Sequence, residues 1–188
     1  MRVISGSLKG RRLSAIKTES NMTNLRPTTD RIKESLFNIL SGGKFDLKIE
    51  KARILDIFAG SGALGLEAIS RGAKSCTFIE KNKACIRILD ANLNICNLKN
   101  QTNIKTFDAT KFPMNPDPPY DLVFVDPPYR KSLGEAAIGS ALASNWISDT
   151  ALIVLEEGEQ KSSLQGLKLE DTRIYGDTIL HFFKRLPN

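Results

Sequence analysis

Short apolar, β-branched runs alternate with longer segments from about residue 52 to the end of the chain. The runs are typical of strands buried on both faces of a parallel sheet, and the longer segments repeat their apolar residues at helical spacing. This alternation predicts an α/β fold with right-handed crossovers. The predicted strands are 53–58, 75–80, 103–107, 122–126 and 151–156, and the predicted helices are 63–71, 81–96 and 133–143. Two antiparallel strands are predicted on either side of Tyr175-Gly176-Asp177.

The first forty residues have a different pattern. Apolar residues alternate with polar ones around Gly6 and Gly10, which predicts a short β-ribbon over residues 2–16. The polar stretch 17–25 is expected to be a mobile loop.

An amphipathic helix is predicted after this loop. Its N-cap is expected at Thr28 or Thr29, where a side-chain oxygen can accept a hydrogen bond from the first turn. Its apolar residues form one stripe that must pack on a neighbour, and Ser41-Gly42-Gly43 ends it. We therefore divide the chain into a ribbon and helix, residues 1–40, and an α/β domain, residues 41–188.

The net charge of +6 lies entirely in the first 33 residues of the 188-residue chain. That segment has eight basic and two acidic side chains, whereas acids and bases cancel in the remainder. Because Lys and Arg neutralise phosphates, the asymmetry favours an arm that binds nucleic acid over a solvated basic tail that only aids solubility. The side chains expected to contact nucleic acid in this segment are Lys9, Arg11, Arg12, Arg26 and Arg31.

Composition narrows the remaining possibilities. An apolar fraction of 41% is ordinary for a globular protein. No apolar run could cross a bilayer and the first residues do not resemble a signal peptide, so we expect a cytoplasmic enzyme, monomeric and without a membrane partner. The three cysteines lack CxxC spacing and His181 is the only histidine, which predicts buried free thiols and chemistry without a metal.

A strand that runs into a glycine turn and then a helix is the first candidate binding element. Gly60 and Gly62 allow a ligand to approach the backbone closely, and the helix beyond presents unpaired N–H groups. The spacing fits a pyrophosphate fingerprint only loosely. Asp56, just before the turn, suits a cationic or amino-bearing ligand better than a pyrophosphate.

Two further carboxylates end the next two predicted strands. Glu80 is placed to accept hydrogen bonds from both hydroxyls of a ribose. Asp108, followed by Ala109, could accept from an adenine amino group. Each acid alone could be a solvated strand end, but three acids around one glycine turn favour a bound nucleoside.

The tetrapeptide Asp-Pro-Pro-Tyr occurs twice, as residues 117–120 and 126–129, on either side of one predicted strand. Ligands of open parallel sheets bind beyond the carboxyl ends of the strands. Position therefore selects the second copy as the functional one. The first copy is expected only to turn the chain.

The second copy has residue types suited to an exocyclic amino group of a base. Asp126 could accept hydrogen bonds from the N–H groups, which leaves the nitrogen lone pair free to attack. Pro127 and Pro128 would stiffen the loop. Tyr129 provides a ring on which an extruded base can stack. Arg130 could hold a flanking phosphate.

Residues 55–65, Glu80, Asp108 and 126–129 together resemble the amino-directed, S-adenosylmethionine-dependent methyltransferases. Residues 2–13 and 25–38 and the ending 175–178 are similar to the bacterial 16S ribosomal RNA guanine-N2 methyltransferase family. The resemblance implies a Rossmann-like class I methyltransferase fold, with a mostly parallel seven-stranded sheet and an inserted antiparallel last pair. It also implies S-adenosyl-L-methionine as cofactor and 16S ribosomal RNA or the 30S subunit as partner. By resemblance, Glu80 would hold the ribose and Asp108-Ala109 the adenine, and the methionine end would lie on Phe58, Ala59, Gly60, Ser61 and Gly62.

Two alternatives stay open. A DNA adenine-N6 or cytosine-N4 methyltransferase can share the tetrapeptide, but such enzymes usually need a separate domain to read sequence, and no residues are left for one. A non-catalytic RNA-binding or assembly protein could keep the fold, but the intact Gly60, Gly62, Glu80 and Asp126 argue against it. A protein glutamine methyltransferase would more often have Asn-Pro-Pro-Tyr.

Overall fold

The computed structural model describes residues 1–15, 30–128, 132–159 and 163–186. These ranges contain four α-helices, one 3₁₀ turn (Lys99–Gln101) and seven strands. The helices are α1 (Asp30–Ser41), α2 (Ala63–Ser70), α3 (Lys83–Cys96) and α4 (Leu133–Ala143). The strands are β1 (Arg53–Ile57), β2 (Ser75–Ile79), β3 (Thr102–Lys105), β4 (Tyr120–Val125), β5 (Ile147–Glu157), β6 (Leu167–Tyr175) and β7 (Thr178–Arg185).

The seven strands form one sheet in the order β3-β2-β1-β4-β5-β7-β6. The pairs among β1 to β5 are parallel, and β7 pairs antiparallel with β5 and β6. The predicted mostly parallel sheet with a last antiparallel pair is confirmed. The chain reverses its direction of travel across the sheet between β1 and β4, which is where open α/β sheets bind ligands.

Apolar side chains from both faces of the sheet form two cores. Ile54 of β1 points to the face covered by α1, α2 and α3, where Phe37 and Phe124 have ring centroids 5.7 Å apart. Leu55 points to the other face, which is centred on Trp146 and covered by α4. Every second residue of the central strands therefore serves a different core, which explains their continuous apolar sequences.

The observed ends of several elements differ from the predicted ones by a few residues. β3 stops at Lys105 instead of residue 107. α3 begins at Lys83 because the side chain of Asn82 caps it by accepting from the N–H groups of Ala84 and Cys85. β4 begins at Tyr120, so the last residue of the first tetrapeptide already belongs to the strand. β5 begins at Ile147, earlier than predicted, and pairs with Tyr120 before a register shift.

The predicted N-terminal ribbon is only a turn-rich hairpin with a single bridge between Arg2 and Arg12. A longer pair of strands does not form because a side chain of α2 accepts hydrogen bonds from the backbone N–H groups on one side of the hairpin. The N–H groups of Ile4 and Ser5 donate to the Glu67 carboxylate at 2.7 and 3.0 Å. Gly6 has φ +83°, and a Cβ there would lie 1.8 Å from the carbonyl oxygen of Ser70, so only glycine fits against the end of α2.

The hairpin and α1 share their core with the α/β domain. Val3, Leu13 and Phe37 are buried in the same cluster as Ile54 of β1. Lys33 of α1 is 1% exposed and contributes its Nζ to an ion pair with Glu67 at 3.6 Å. In packing terms residues 1–15 and α1 are therefore one body with the sheet, and the division at residue 40 stays a functional prediction.

The expected loop 17–25 and the N-cap at Thr28 or Thr29 lie outside the described residues. The predicted end of α1 at Ser41 is confirmed. The three cysteines are free thiols and buried, as predicted. Among the helices of the described ranges, none is both long and apolar enough to span a bilayer.

Candidate active site

The parallel strands end together at what we call the carboxyl edge of the sheet. The last residues of β1, β2 and β4 are in register. The next residues along these strands are Phe58, Glu80 and Asp126, which therefore leave the sheet side by side. The Asp126 N–H donates to the carbonyl of Ile57 at 3.3 Å, and the Glu80 N–H donates to that of Lys105 at 3.1 Å. Since neighbouring strands are about 4.8 Å apart, the backbones of Glu80 and Asp126 are roughly 10 Å apart.

The glycine loop after β1, residues 58–62, turns sharply at this edge. Phe58 has φ 62° although it is a bulky residue, which is a strained conformation of the kind that clusters at ligand sites. Gly62 has φ 78° and its N–H donates to the carbonyl of Ala59 at 2.7 Å. A Cβ at Gly62 would lie 2.4 Å from Cδ1 of Leu89, so the loop lies directly on α3. Phe58, Ala59, Gly60 and Ser61 are half-buried, which leaves part of the loop open to a ligand.

Asp56 lies beneath this loop and is only 2% exposed. Its Oδ2 accepts a hydrogen bond from the Gly65 N–H in the first turn of α2 at 2.9 Å. Burial raises its pKa to about 7, helped by the charge of Glu80 and opposed by the Gly65 hydrogen bond. The carboxyl group thus fixes the start of α2 against β1, and the role of Asp56 as a cofactor contact stays a prediction.

Glu80 organises the loop from the neighbouring strand. Its Oε2 accepts from the Gly60 N–H at 2.9 Å, and its Oε1 accepts from the Asn82 N–H at 2.8 Å. The carboxylate is half-buried, and each oxygen has a further lone pair that can accept. This geometry fits the predicted acceptor for ribose hydroxyls.

Asp108 follows β3 and is held by its own turn. Its Oδ1 accepts from the N–H and hydroxyl of Thr110 at 2.9 and 2.8 Å, and its Oδ2 accepts from Nζ of Lys81 at 2.8 Å. The hydrogen bond from Lys81 and those from Thr110 hold the pKa of this carboxyl well below its usual range. Ala109 is buried. The carboxylate is therefore ionised and fixed in place at the carboxyl edge, where an amino group could donate to it.

The second tetrapeptide lies at the end of β4, as predicted. Asp126 is half-buried and follows directly on Val125, while Pro127 is buried and Pro128 is exposed. A Cβ at Gly134 would lie 3.3 Å from Cγ of Pro127, which shows that Pro127 packs against the first turn of α4. Tyr129 and Arg130 lie outside the described residues.

The basic side chains predicted to contact nucleic acid divide into two groups. Those of Lys9, Arg11, Arg12 and Arg31 are exposed. Arg26 lies outside the described residues, as Arg130 does. Lys33, which contributed to the charge excess of this segment, is instead buried, and burial lowers its pKa despite the neighbouring Glu67 carboxylate.

Several buried polar residues were not predicted from the sequence, among them Lys33, Glu67 and Asn92. Glu67 lies inside the otherwise apolar helix Ala63–Ser70, and Asn92 lies one turn after Leu89 on the buried face of α3. A single polar residue at an apolar position of a helix was the available signal. Among the described residues, no group of three His, Cys, Asp or Glu side chains is placed to hold a metal ion.

The chain is similar to known proteins in both sequence and fold. The family model described as conserved hypothetical protein 95 matches residues 1–184. The chain is 40% identical over 156 residues to ribosomal RNA small subunit methyltransferase D of Escherichia coli, covering 83% of this chain and 74% of that one. It is 39% identical over 165 residues to the protein of the same name from Haemophilus influenzae, covering 86% and 80%. The solved Escherichia coli protein yhhF, a methyltransferase by name, has a TM-score of 0.82 at 35% identity, over 98% of this chain and 97% of that one.

The match extends from the hairpin to the last strand, so it includes the N-terminal motifs as well as the cofactor-type loop. The structural neighbours are methyltransferases of the same architecture, which confirms the predicted Rossmann-like class I fold. The resemblance inferred from the sequence is confirmed by relatives of near 40% identity. The chain belongs to the family described as conserved hypothetical protein 95, a family of methyltransferases.

Proposed function

We propose that this methyltransferase moves a methyl group from S-adenosyl-L-methionine to the exocyclic N2 of a guanine in 16S ribosomal RNA. The observation that carries the proposal is the register of the carboxyl edge, which brings Asp126 next to the glycine loop after β1 and within two strands of Glu80. The relatives named as small-subunit ribosomal RNA methyltransferases support the substrate class. The tetrapeptide supports transfer to an amino nitrogen.

The residues at the carboxyl edge fit the cofactor. The half-buried loop 58–62 would hold its methionine end, Glu80 its ribose hydroxyls and Asp108 with Ala109 its adenine. The two carboxylates are already oriented by hydrogen bonds to backbone or side-chain donors, so little reorganisation is needed on binding. When bound, this group supplies an electrophilic methyl on a sulfonium.

Asp126 acts on the amino nitrogen of the base. Its carboxylate accepts a hydrogen bond from an N–H of the amino group, which localises the nitrogen lone pair. The nitrogen then takes the methyl from the sulfonium sulfur, and the carboxylate takes the proton that the nitrogen releases. Pro127, packed against α4, fixes the chain that positions the carboxylate. Methyl transfer is largely a positioning problem, so this stiffness contributes to the rate. We propose that Tyr129 stacks on the extruded base, worth about 1–3 kcal/mol.

The basic residues of the hairpin and α1 provide the docking surface for RNA. Lys9, Arg11, Arg12 and Arg31 are exposed. The hairpin cannot move independently, because Glu67 binds its backbone and a buried core holds Val3 and Leu13. We infer that this surface sets the distance between the docked RNA and Asp126. Arg26 and Arg130 are proposed to extend it.

Nucleoside analysis tests the reaction. The protein is incubated with methyl-labelled S-adenosylmethionine and 30S particles, naked 16S RNA or duplex DNA, and the product is digested to nucleosides. We expect N2-methylguanosine from a ribosomal substrate and no label in DNA. Labelled N6-methyladenine or N4-methylcytosine in DNA would instead support a DNA methyltransferase. RNA binding without label in any substrate would support a non-catalytic assembly protein.

The docking surface has a separate test. Reversing two charges, Arg11→Glu with Arg12→Glu, should weaken RNA binding and reduce the slope of log affinity against log salt by about 2, because two phosphate contacts are lost. Exposed Lys168 is the control, because it lies on the edge strand β6, and Lys168→Glu should keep the slope. An unchanged slope in the double variant would remove the docking role.

A further inference from the structure

Asn92 of α3 joins two segments that are far apart in the sequence. Asn92 is 0% exposed, and both of its N–H donors and its carbonyl oxygen make hydrogen bonds. Its Nδ2 donates to the Ser61 carbonyl at 2.9 Å and to the Ser14 carbonyl at 3.0 Å, and its Oδ1 accepts from the Ser14 N–H at 2.8 Å. One buried amide therefore holds the backbone of the N-terminal segment and that of the glycine loop together.

The loop end of this bridge lies at the proposed cofactor position. Ser61 is between Gly60, whose N–H is bound by Glu80, and Gly62. Leu89 lies one turn before Asn92 on α3 and limits the space under Gly62, where a Cβ would be 2.4 Å from its Cδ1. Successive turns of one helix thus support the loop, and only Asn92 among these residues also reaches the hairpin.

The other end of the bridge lies beside the basic side chains. Ser14 comes two residues after Arg12, and Leu13 between them is buried in the core. The charge of Arg11 acts on Cys96 of α3, where it opposes the burial that raises the pKa of that thiol. The basic surface of the hairpin therefore lies along the same helix that supports the loop.

We propose that Asn92 is a positioning residue that couples RNA binding on the hairpin to cofactor binding at the glycine loop. This inference rests on the proposed function. RNA bound at Arg11 and Arg12 stabilises the Ser14 backbone against local opening from the Asn92 amide. The amide then holds the Ser61 carbonyl in the geometry that the loop needs for the cofactor. By linkage, the cofactor must improve RNA binding by the same factor. Only an amide can donate twice and accept at this position, whereas a carboxylate has no donor and an aliphatic side chain has neither.

Equilibrium dialysis with labelled S-adenosylhomocysteine measures this coupling. The ratio of its Kd without and with saturating naked 16S RNA should be at least about 5 in the wild-type protein, the lower end of usual couplings. In Asn92→Leu, which keeps the branched shape of the side chain but not its hydrogen bonds, the ratio should fall towards 1. The matched control is Leu93→Ala, a change at the next buried residue of α3. It should lower Tm but keep the ratio, because Leu93 has no part in the bridge.

Hydrogen exchange gives a second measurement that does not depend on how Asn92→Leu folds. In the wild-type protein without RNA, S-adenosylhomocysteine should slow exchange of the Ser14 amide, which donates to Asn92. An unchanged rate at Ser14, or a ratio that stays the same in Asn92→Leu, would overturn the coupling. A wild-type ratio of 1 with normal methylation of RNA would overturn the coupling alone. Absence of methylation would instead reject the proposed function.

Discussion

The same four residues, Asp-Pro-Pro-Tyr, stand at both ends of β4 and have different surroundings. In the first copy, Tyr120 is 3% exposed and stacked on Trp146 with ring centroids 5.8 Å apart. Its hydroxyl donates to Oγ1 of Thr77 at 2.7 Å. In the second copy, Asp126 is at the carboxyl edge beside the glycine loop, where Pro127 packs against α4. The first copy is part of the core, and the second begins a loop at the proposed site.

The difference comes from strand polarity and not from the residues themselves. Ligands of open parallel sheets bind beyond the carboxyl ends of the strands, so the first copy, at the amino end of β4, lies at the edge away from the site. Asp117 is exposed at the amino end, and the Pro118 carbonyl accepts from Arg53 at 2.9 Å. A motif therefore predicts chemistry only together with its place in the fold, and the chain contains its own control for this rule.

The largest expected contrast is between the two aspartates. Asp126→Ala should lower methyl transfer by about 10²–10⁴-fold, because it removes the acceptor for the amino hydrogens and the released proton. S-adenosylhomocysteine should still bind, since the loop, Glu80 and Asp108 are intact. Rates with saturating RNA and cofactor affinity by calorimetry check both statements.

Asp117→Ala is the matched control, because it makes the same chemical change in the same tetrapeptide at the other end of the strand. Its rate and cofactor affinity should both stay within about twofold of the wild-type values, as expected for an exposed residue away from the site. Equal losses in the two variants would break the comparison, since position in the sheet would then not decide function.

A second contrast concerns the pH dependence of stability at the carboxyl edge. Burial raises the pKa of Asp56 from an ordinary value of 3.8 to about 7. Between these values the folded protein holds a proton that the unfolded chain has released, so the free energy of unfolding should fall as pH rises from about 4 to about 7. Asp56→Asn should remove this part of the dependence, on the order of a few kcal/mol, because an amide oxygen can still accept from Gly65 but does not ionise.

Urea unfolding of both proteins at a series of pH values measures this contrast. The two curves should converge at low pH, where Asp56 is protonated in both the folded and unfolded states, and separate towards neutral pH with the variant more stable. Parallel curves would show that burial of the Asp56 carboxylate does not lower the free energy of unfolding.

The parts of the fold that follow from local pattern were predictable. The alternation of apolar runs and helical segments predicted the sheet, and the sequence on either side of β4 predicted which tetrapeptide leaves it. Parallel strands end together, so the sequence also predicted that residues 58–62, Glu80 and Asp126 lie at one edge of the sheet. The predicted end of an element was wrong where a side-chain hydrogen bond decides it, as at the start of α3, which Asn82 caps.

The buried polar links could not be predicted, because each partner is far away in the sequence. Glu67 binds N–H groups more than 60 residues earlier in the chain, and Asn92 reaches Ser14 across 78 residues. The sequence shows only a polar residue at an apolar position of a helix. It does not show which backbone groups that residue satisfies, so the links between the hairpin and the helices behind it could not be foreseen.

The smallest contrast is between the two tyrosines, and it isolates the core role of the first copy. Tyr120→Phe keeps the ring on Trp146 but removes the buried hydroxyl, which leaves Thr77 without that donor and should cost about 1–3 kcal/mol of stability. At about 2–4 °C per kcal/mol for a chain of this size, Tm should fall by several degrees, while methyl transfer by the folded protein stays unchanged.

Tyr129→Phe keeps the proposed stacking ring, so methyl transfer should stay within about twofold of the wild-type rate. Thermal unfolding and initial rates on both variants complete the comparison. A loss of activity in Tyr120→Phe without a loss of stability would mean that the first copy also takes part in the reaction, and strand polarity would no longer separate the two.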